Sequence, residues 1–272
     1  MDNVVFEKPD HASLARKYNV VDMHSHTRAS HDCNTSIKRF ADKLKSLGIG
    51  VAVTDHDEID GSLALKRRYP KLFVIPGIEA TSLEDKDILL YFNSFDDLKG
   101  FYNRHILPNK RKHRTNAFTI KTRLPYEYIL DMASDYNAFR VFPHPLMRAK
   151  GIYRRLKRKK DFSVLKMVDG IEAINAGQKL KHNIQGLTWA GLERKPVTGG
   201  SDSHIIRTLG DSVTLSTAKN VEGFLESIRK KNNRVVGKTS NFLSELSSIG
   251  SIMRNKIRLV RKKKKMKVEL KD

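Results

Sequence analysis

Two histidines one residue apart close an apolar stretch, Val20-Val21-Asp22-Met23-His24-Ser25-His26-Thr27, and Asp32 follows shortly after. In an extended chain residues i and i+2 share a face. His24 and His26 can therefore grip one ion side by side, and neutral imidazoles suit a divalent transition metal. A polar strand end whose histidines only hydrogen-bond is the other reading of this pair alone. Further candidates recur along the chain: His56 in Asp55-His56-Asp57, Glu79 after Pro76-Gly77-Ile78, Asp87 ahead of Ile88, His144 in Pro143-His144-Pro145, and Asp202-Ser203-His204 after Gly199-Gly200. Together these supply ligands for more than one metal, and no cysteine is among them. Imidazole with carboxylate suits zinc, manganese or iron. A carboxylate such as Glu79 has two oxygens and can bridge two ions. Ions roughly 3.5–4 Å apart can activate a water and clamp a phosphoryl group for in-line displacement.

Positioning such a set falls to the elements between the motifs. Val20 to Thr27 reads as a buried strand. A helix follows, capped by Asn34 or Thr35, with Ile37, Phe40, Ala41, Leu44 and Leu47 on one face and Gly48 at its end. Residues 49–54 are too continuously apolar for a half-exposed strand and fit one buried on both sides, as in a parallel sheet. Further strands are expected at 72–78, 88–92, 139–142, 168–174 and 196–198. Helices are expected from Pro125, with Tyr126, Ile129, Leu130 and Ala133 inward; around Leu180, Ile184 and Leu187; and behind Asn220, using Val221, Phe224, Leu225 and Ile228. The recurring order of buried strand and helix or crossover argues for a parallel α/β fold. The His, Asp and Glu candidates fall mostly at C-terminal ends of strands and come from nearly every one. That distribution favours a (β/α) barrel over an open doubly wound sheet, which gathers ligands at one switch point.

The motifs HxHT, TDHD, PGIE, FPHP and GGSDSH, in this order, resemble the polymerase and histidinol phosphatase (PHP) family of metal phosphoesterases over roughly residues 20–237. The resemblance implies a distorted, TIM-like (β/α)7 barrel with two or three divalent metals (Zn, Mn or Fe) and hydrolysis of phosphate esters. Family substrates include histidinol phosphate, nucleotides and nucleic-acid ends. Carried over by position, His24, His26, Glu79 and Asp202 hold one metal, and Asp32, His56 and His204 another. Glu79 and His144 contribute to a third, with Asp87 standing where members often have a histidine. Glu79, Asp202 and His204 are the expected catalytic residues. His31 is an alternate to Asp32, Asp57 is expected to orient His56, and Asn175 either orients a ligand or ends its strand. Arg28, Arg148 and Arg207 are candidate donors to substrate phosphate. Gly199-Gly200 lacks the lysine and helix start of a phosphate loop and reads as a tight strand exit that lets ligands crowd together. His11, His105, His113 and His182 match no motif and are expected at the surface, with Trp189 in helix packing.

The 272 residues carry 52 Lys and Arg against 30 Asp and Glu, a formal net charge of +22, which favours polyanionic partners such as nucleic acid, nucleotides or acidic lipid. Much of the surplus lies in residues 104–114, in residues 148–160 with eight Lys or Arg and no acid, and in residues 251–272 with ten Lys or Arg against two acids. The expected organisation is an N-terminal extension (1–19), a PHP-type domain (20–238) and a basic C-terminal tail (239–272). Such a tail is a solvated segment, an arm on nucleic acid, or an anchor on an anionic membrane surface. The one cysteine, Cys33, excludes an intrachain disulfide. No apolar run approaches a membrane span and no signal peptide is evident, so a cytoplasmic protein is expected. Oligomeric state is not encoded legibly. A small-molecule phosphatase and a metal- and nucleic-acid-binding accessory protein without turnover are the competing functions. Metal-assisted C–N hydrolysis is disfavoured, because no lysine stands at a strand end among the ligands.

Overall fold

The computed structural model describes residues 3–110 and 121–240. Its strands are β1 (Val4–Val5), β2 (Asn19–Ser25), β3 (Gly50–Val53), β4 (Val74–Thr81), β5 (Asp87–Tyr91), β6 (Phe139–Phe142), β7 (Gly170–Asn175), β8 (Val197–Gly200), β9 (Ser212–Ser216) and β10 (Arg234–Gly237). Among them run the helices α1 (His11–Ala15), α2 (Ile37–Leu47), α3 (Asp60–Arg68), α4 (Phe95–Phe101), α5 (Tyr126–Ser134), α6 (Tyr153–Lys159), α7 (Leu180–Leu192) and α8 (Val221–Arg229). The strands form one α/β sheet in the order β1-β10-β9-β2-β3-β4-β5-β6-β7-β8. It curls into a half-barrel until its far end returns to β2: Asp202 N donates to His24 O at 2.7 Å, and His26 N donates to Ser203 O at 3.1 Å.

The seven strands expected from sequence are β2 to β8. Their direction differs from the expected all-parallel run: β5 is antiparallel to both β4 and β6, while β2-β3-β4 and β6-β7-β8 are parallel. The link 82–86 is too short for a parallel crossover, so β5 must fold straight back, pairing Asp87 with Thr81. The reversal puts the first residue of β5 at the same end of the sheet as the last residues of its neighbours. Three strands were not expected. β9 pairs antiparallel with β2, β10 with β9, and β1 parallel with β10. The Ser and Thr residues of β9 hide a buried strand, since Thr214 Oγ1 takes the Gly199 N–H at 2.9 Å and Ser212 Oγ donates to Ile174 O at 3.2 Å.

One face of the sheet buries Val21, Met23, Ala52, Ile75, Leu89, Tyr91, Phe139 and Val141 against Phe224, Leu225 and Ile228 of α8. Period-two alternation carries that face from Ile75 to Glu79 along β4 and from Leu89 to Asp87 along β5. The opposite face packs Val20, Val51, Val53 and Val74 under Ile37, Phe40, Ala41 and Leu44 of α2 and Leu65 of α3. Ser36 caps α2, rather than Asn34 or Thr35, accepting from Arg39 N, and Gly48 ends it in the left-handed region at φ 66°. The α5 and α8 faces are as expected, with Asn220 capping α8. In α7 Leu187 packs on the core, but Leu180 and Ile184 are exposed, and Asn183, Gly186, Trp189 and Ala190 are buried. Asn183 turns inward because its amide pairs both backbone groups of Asn175 at the end of β7, at 3.1 and 2.9 Å. Among the described residues no helix is long and apolar enough to cross a membrane. Residues 241–272, which hold nearly all of the basic tail, and 111–120, which include His113, lie outside the described residues.

Candidate metal centre

Strand ends bring nine side chains to one end of the curled sheet. His24 comes from β2, with His26 just past it. His56 follows β3, Glu79 lies on β4, Asp87 opens β5, His144 follows β6, and Asp202 and His204 follow β8. Asp32 reaches in from the loop after β2. Met23 belongs to the apolar core while its neighbour His24 faces the site, a change of side made where β2 shifts register against β3 between Asp22 and Ser25.

Glu79 is at the centre. Its Oε2 lies 3.2 Å from His24 Nε2, 3.4 Å from His26 Nε2 and 3.2 Å from His56 Nδ1, and its Oε1 lies 3.1 Å from His144 Nε2. Asp202 Oδ1 stands 3.2 Å from His26 Nε2 and 3.5 Å from both His24 Nε2 and His204 Nδ1. Asp32 Oδ2 lies 3.0 Å from His204 Nε2 and 3.4 Å from His56 Nε2. Of the two neighbours weighed at that position, it is therefore Asp32 that points its donor atom at this group, while the His31 ring is tilted beside His56 at 5.3 Å. Four sets have ligand atoms within 4.8 Å of one another: His26, Asp32, His56 and His204; His24, His144 and Asp202; His24, His26 and Glu79; His56, Glu79 and Asp87.

The electrostatics of so many donors around so few carboxylates are unbalanced. His26 is fully buried and neither ring nitrogen makes a hydrogen bond. Burial, then the charge of His204, lowers its pKa to about 4, so it is a neutral imidazole with one ring lone pair free for a metal. For His56 and His204 burial also favours the neutral form but is outweighed, by Glu79 and Asp32 at His56 (about 10) and by Asp32 at His204 (about 9). His56 Nδ1 and His144 Nδ1 are further buried nitrogens without a hydrogen bond. Buried donors left unpaired are costly, and a divalent cation would satisfy them together with the crowded carboxylates. The donor set therefore fits a metal centre.

A second group fixes these ligands, and its centre, Glu172, is not singled out by any motif in the sequence. Glu172 on β7 takes His24 Nδ1 at 3.0 Å, the His144 backbone N–H at 2.7 Å and the Asn175 amide at 2.9 Å. A carboxylate only accepts, so His24 Nδ1 carries the hydrogen and Nε2 is turned to Glu79 and Asp202. The Asn175 amide also donates to Asp202 Oδ2 at 3.2 Å, so Asn175 orients a candidate ligand. Asp57 does not hydrogen-bond His56. Its Oδ1 accepts Thr81 N at 2.9 Å, tying the end of β3 to β4, and burial raises its pKa to about 7. Asp55 likewise takes the backbone and hydroxyl of Thr27 at 2.6 and 2.8 Å. Asp22 takes Ser201 N at 2.9 Å and Gly210 N at 2.8 Å. Three residues here, Asp57, His144 and Asp202, adopt positive φ, at 49°, 27° and 51°. Gly200 is required by close approach, since a Cβ there would meet His24 Cβ at 2.3 Å and His24 N at 2.5 Å.

Arg28, Arg148 and Arg207 are exposed in the loops after β2, β6 and β8. The cation that enters the site is one that no motif singles out. Lys150 Nζ lies 3.4 Å from Asp87 Oδ1, which also accepts Thr81 Oγ1 at 2.7 Å. Trp189 packs edge-on against Tyr153 at 5.0 Å, as expected of helix packing.

Comparison with known proteins agrees with this architecture. A family model for the PHP-associated C-terminal region (PHP_C) matches residues 181–233, the segment from α7 through Asp202 and His204 to the end of α8. A two-domain protein from Bacteroides vulgatus containing a predicted PHP-like metal-dependent phosphoesterase superposes with a TM-score of 0.58 at 15% identity, over 86% of this chain and 68% of that one. The matched segment thus resembles the PHP-associated family, and the fold is similar to that of a PHP-like protein. The same fold is shared with PsfC from Pseudomonas syringae, with a TM-score of 0.60 at 17% identity over 88% of this chain and 98% of PsfC. It is shared also with endonuclease Q in complex with a 27-mer duplex carrying an abasic lesion at the active site, at 0.61 and 14% identity over 82% of this chain and 60% of that one. At such identities the likeness is one of fold. No curated protein matches by sequence.

Proposed function

We propose that the chain is a metal-dependent phosphoesterase acting on phosphate esters at nucleotide or oligonucleotide ends. Two or three divalent ions (Zn, Mn or Fe) would be held by His24, His26, Asp32, His56, Glu79, His144, Asp202 and His204, with Asp87 at the edge of the set. The observation that carries the reading is the sharing of Glu79. Its two oxygens face different histidines, His24, His26 and His56 on one side and His144 on the other, as a bridging carboxylate requires. When bound, such ions supply a water of lowered pKa and positive charge against the phosphoryl oxygens.

The chain's own residues make the rest of the site. Glu172 holds His24 in the tautomer that presents Nε2, and Asn175 fixes Asp202. Asp32, His56, Asp202 and His204 form the rim, with side chains 15%, 11%, 12% and 14% exposed, while His24, His26 and Glu79 lie beneath them. The polarity of that rim supports a substrate with several phosphates. The loop that follows His144 runs through Arg148 and Lys150 into α6, where Arg154, Lys157, Arg158 and Lys159 are exposed. Tyr153 N donates to Pro145 O at 3.1 Å, which pins the start of this basic helix beside the His144 turn. The fold shared with endonuclease Q adds weight to nucleic acid as substrate. Metal-reconstituted protein is assayed on p-nitrophenyl phosphate, on bis(p-nitrophenyl) phosphate and on 5′- and 3′-phosphorylated oligonucleotides. Glu79→Gln serves as the inactive control. Hydrolysis of an oligonucleotide with kcat/KM well above that for the small esters is expected. Absence of turnover on all of them, with metal bound, would leave the accessory-protein reading in its place.

A further inference from the structure

Asp87 is the one carboxylate of the cluster paired with a lysine, a cation that a metal cannot replace by deprotonating a ligand. Its Oδ1 pairs with Lys150 Nζ at 3.4 Å, and its backbone N–H donates to Lys150 O at 3.2 Å. Thr81 Oγ1 fixes the same carboxylate oxygen at 2.7 Å. The other oxygen is 3.9 Å from His144 Nε2, a longer approach than any that Glu79, Asp202 or Asp32 makes to its histidines. Lys150 is held in this place. Its loop runs straight on from His144, with Met147 N donating to His144 O at 2.9 Å and Gly151 N to Met147 O at 3.1 Å. Gly151 itself packs so closely on the backbone of His144 and Pro145 that a Cβ there would lie 2.4 Å from Pro145 O. The Lys150 side chain is mostly buried, 21% exposed. Burial works against its charge, but Asp87 and Glu79 outweigh it and keep it an ammonium.

We propose that the Lys150 ammonium takes the part of a third cation, so that the centre accepts two divalent ions and the set His56, Glu79 and Asp87 is not a metal site. The inference rests on the metal-centre reading above and deepens it. Charge balance supports it. With Asp87 neutralised by Lys150, the carboxylates left to the ions are Asp32, Glu79 and Asp202, and these together with one hydroxide match two divalent cations. A third divalent ion would face both the ammonium and a carboxylate already paired. Because Lys150 is covalently part of the chain, its charge is not lost to chelators or to low metal concentration.

Metal-depleted full-length protein is titrated with Mn²⁺ and separately with Zn²⁺, and tightly bound equivalents are counted by elemental analysis and native mass spectrometry. The proteins are wild type, Lys150→Met and Lys150→Gln, each checked for folding by circular dichroism. The glutamine variant keeps a donor to Asp87 and safeguards the test if the methionine does not fold. Two equivalents in wild type and three in a charge-removing variant are expected. Three equivalents in wild type, or two in a folded variant, would overturn the role of Lys150 and leave the metal centre standing. Fewer than two equivalents in wild type would overturn the metal-centre reading itself.

Discussion

Glu172→Gln tests whether the ligands are set by their supports. The substitution replaces one oxygen with NH₂ and removes the negative charge while keeping the shape of the side chain. In the native arrangement both oxygens accept: one from His24 Nδ1, the other from His144 N and Asn175 Nδ2. Placing the NH₂ toward His144 and Asn175 would oppose two donors, whereas placing it toward His24 opposes one. The amide therefore settles with NH₂ facing His24 Nδ1, which must then accept. That forces the hydrogen onto Nε2, the nitrogen turned to Glu79 and Asp202, and removes its lone pair. Losing such a carboxylate behind a metal-binding histidine costs about 10–100-fold in metal affinity, or about 1.4–2.8 kcal/mol. Metal dissociation constants measured against a competing chelator should rise by that factor. Turnover at saturating metal should fall far less than it does in Glu79→Gln. Affinity within twofold of wild type would refute the claim that Glu172 sets the tautomer of His24.

Gly200→Ala should destabilise the protein by about 1–3 kcal/mol, because the new methyl meets the His24 backbone and must part β8 from β2; an unchanged urea midpoint would contradict this. Metal binding should release protons. His56 and His204, with pKa near 10 and 9, are protonated at pH 7.5 in the metal-free protein and must be neutral to bind, so affinity rises with pH until those values are passed. His24 is likewise held well above the usual histidine range, since Glu79 and Asp202 outweigh its burial. Calorimetry in buffers of differing ionisation enthalpy should therefore read roughly two or more protons released, and none released would refute the assignment of these histidines. Cys33 is buried, its Sγ lies 3.2 Å from His26 O, and burial raises its pKa to about 12, so it should resist a thiol reagent at pH 8 until the protein is unfolded. Rapid native labelling would show that the loop after β2 opens.

What the sequence made legible is what short spacing encodes. His24 and His26 announce themselves by the i, i+2 rule, and Asp202 with His204 repeats it. His56, Glu79 and His144 each end an apolar strand run, so the nine candidates could be drawn to one end of a sheet without knowing its closure. Direction was not legible. Asp87 reaches that end only because β5 runs backward, and a run of apolar residues reads the same in either direction. Glu172 and Lys150 were missed for a related reason. Each is a single charged residue in an unremarkable context, a strand interior and a basic loop, and acquires its part only when β7 and the His144 turn are brought beside β2 and β5. The inward turn of Asn183 in α7 was not legible, because that residue is polar and serves the backbone of β7, which no hydrophobic pattern reveals. β9 escaped notice since its serines and threonines pair with Gly199 and Ile174 across the closing seam. A legible partner within the strand is all that pattern reading can use.

The account turns on Glu79 as a carboxylate shared by two ions. Crystals of metal-reconstituted protein, measured at the absorption edge of the added metal, test it most directly. Two anomalous peaks are predicted, on opposite sides of Glu79 or joined through it. One should be bounded by His26, Asp32, His56 and His204, and the other by His24, His144 and Asp202. A single peak, or none, in protein shown to be folded would contradict the account.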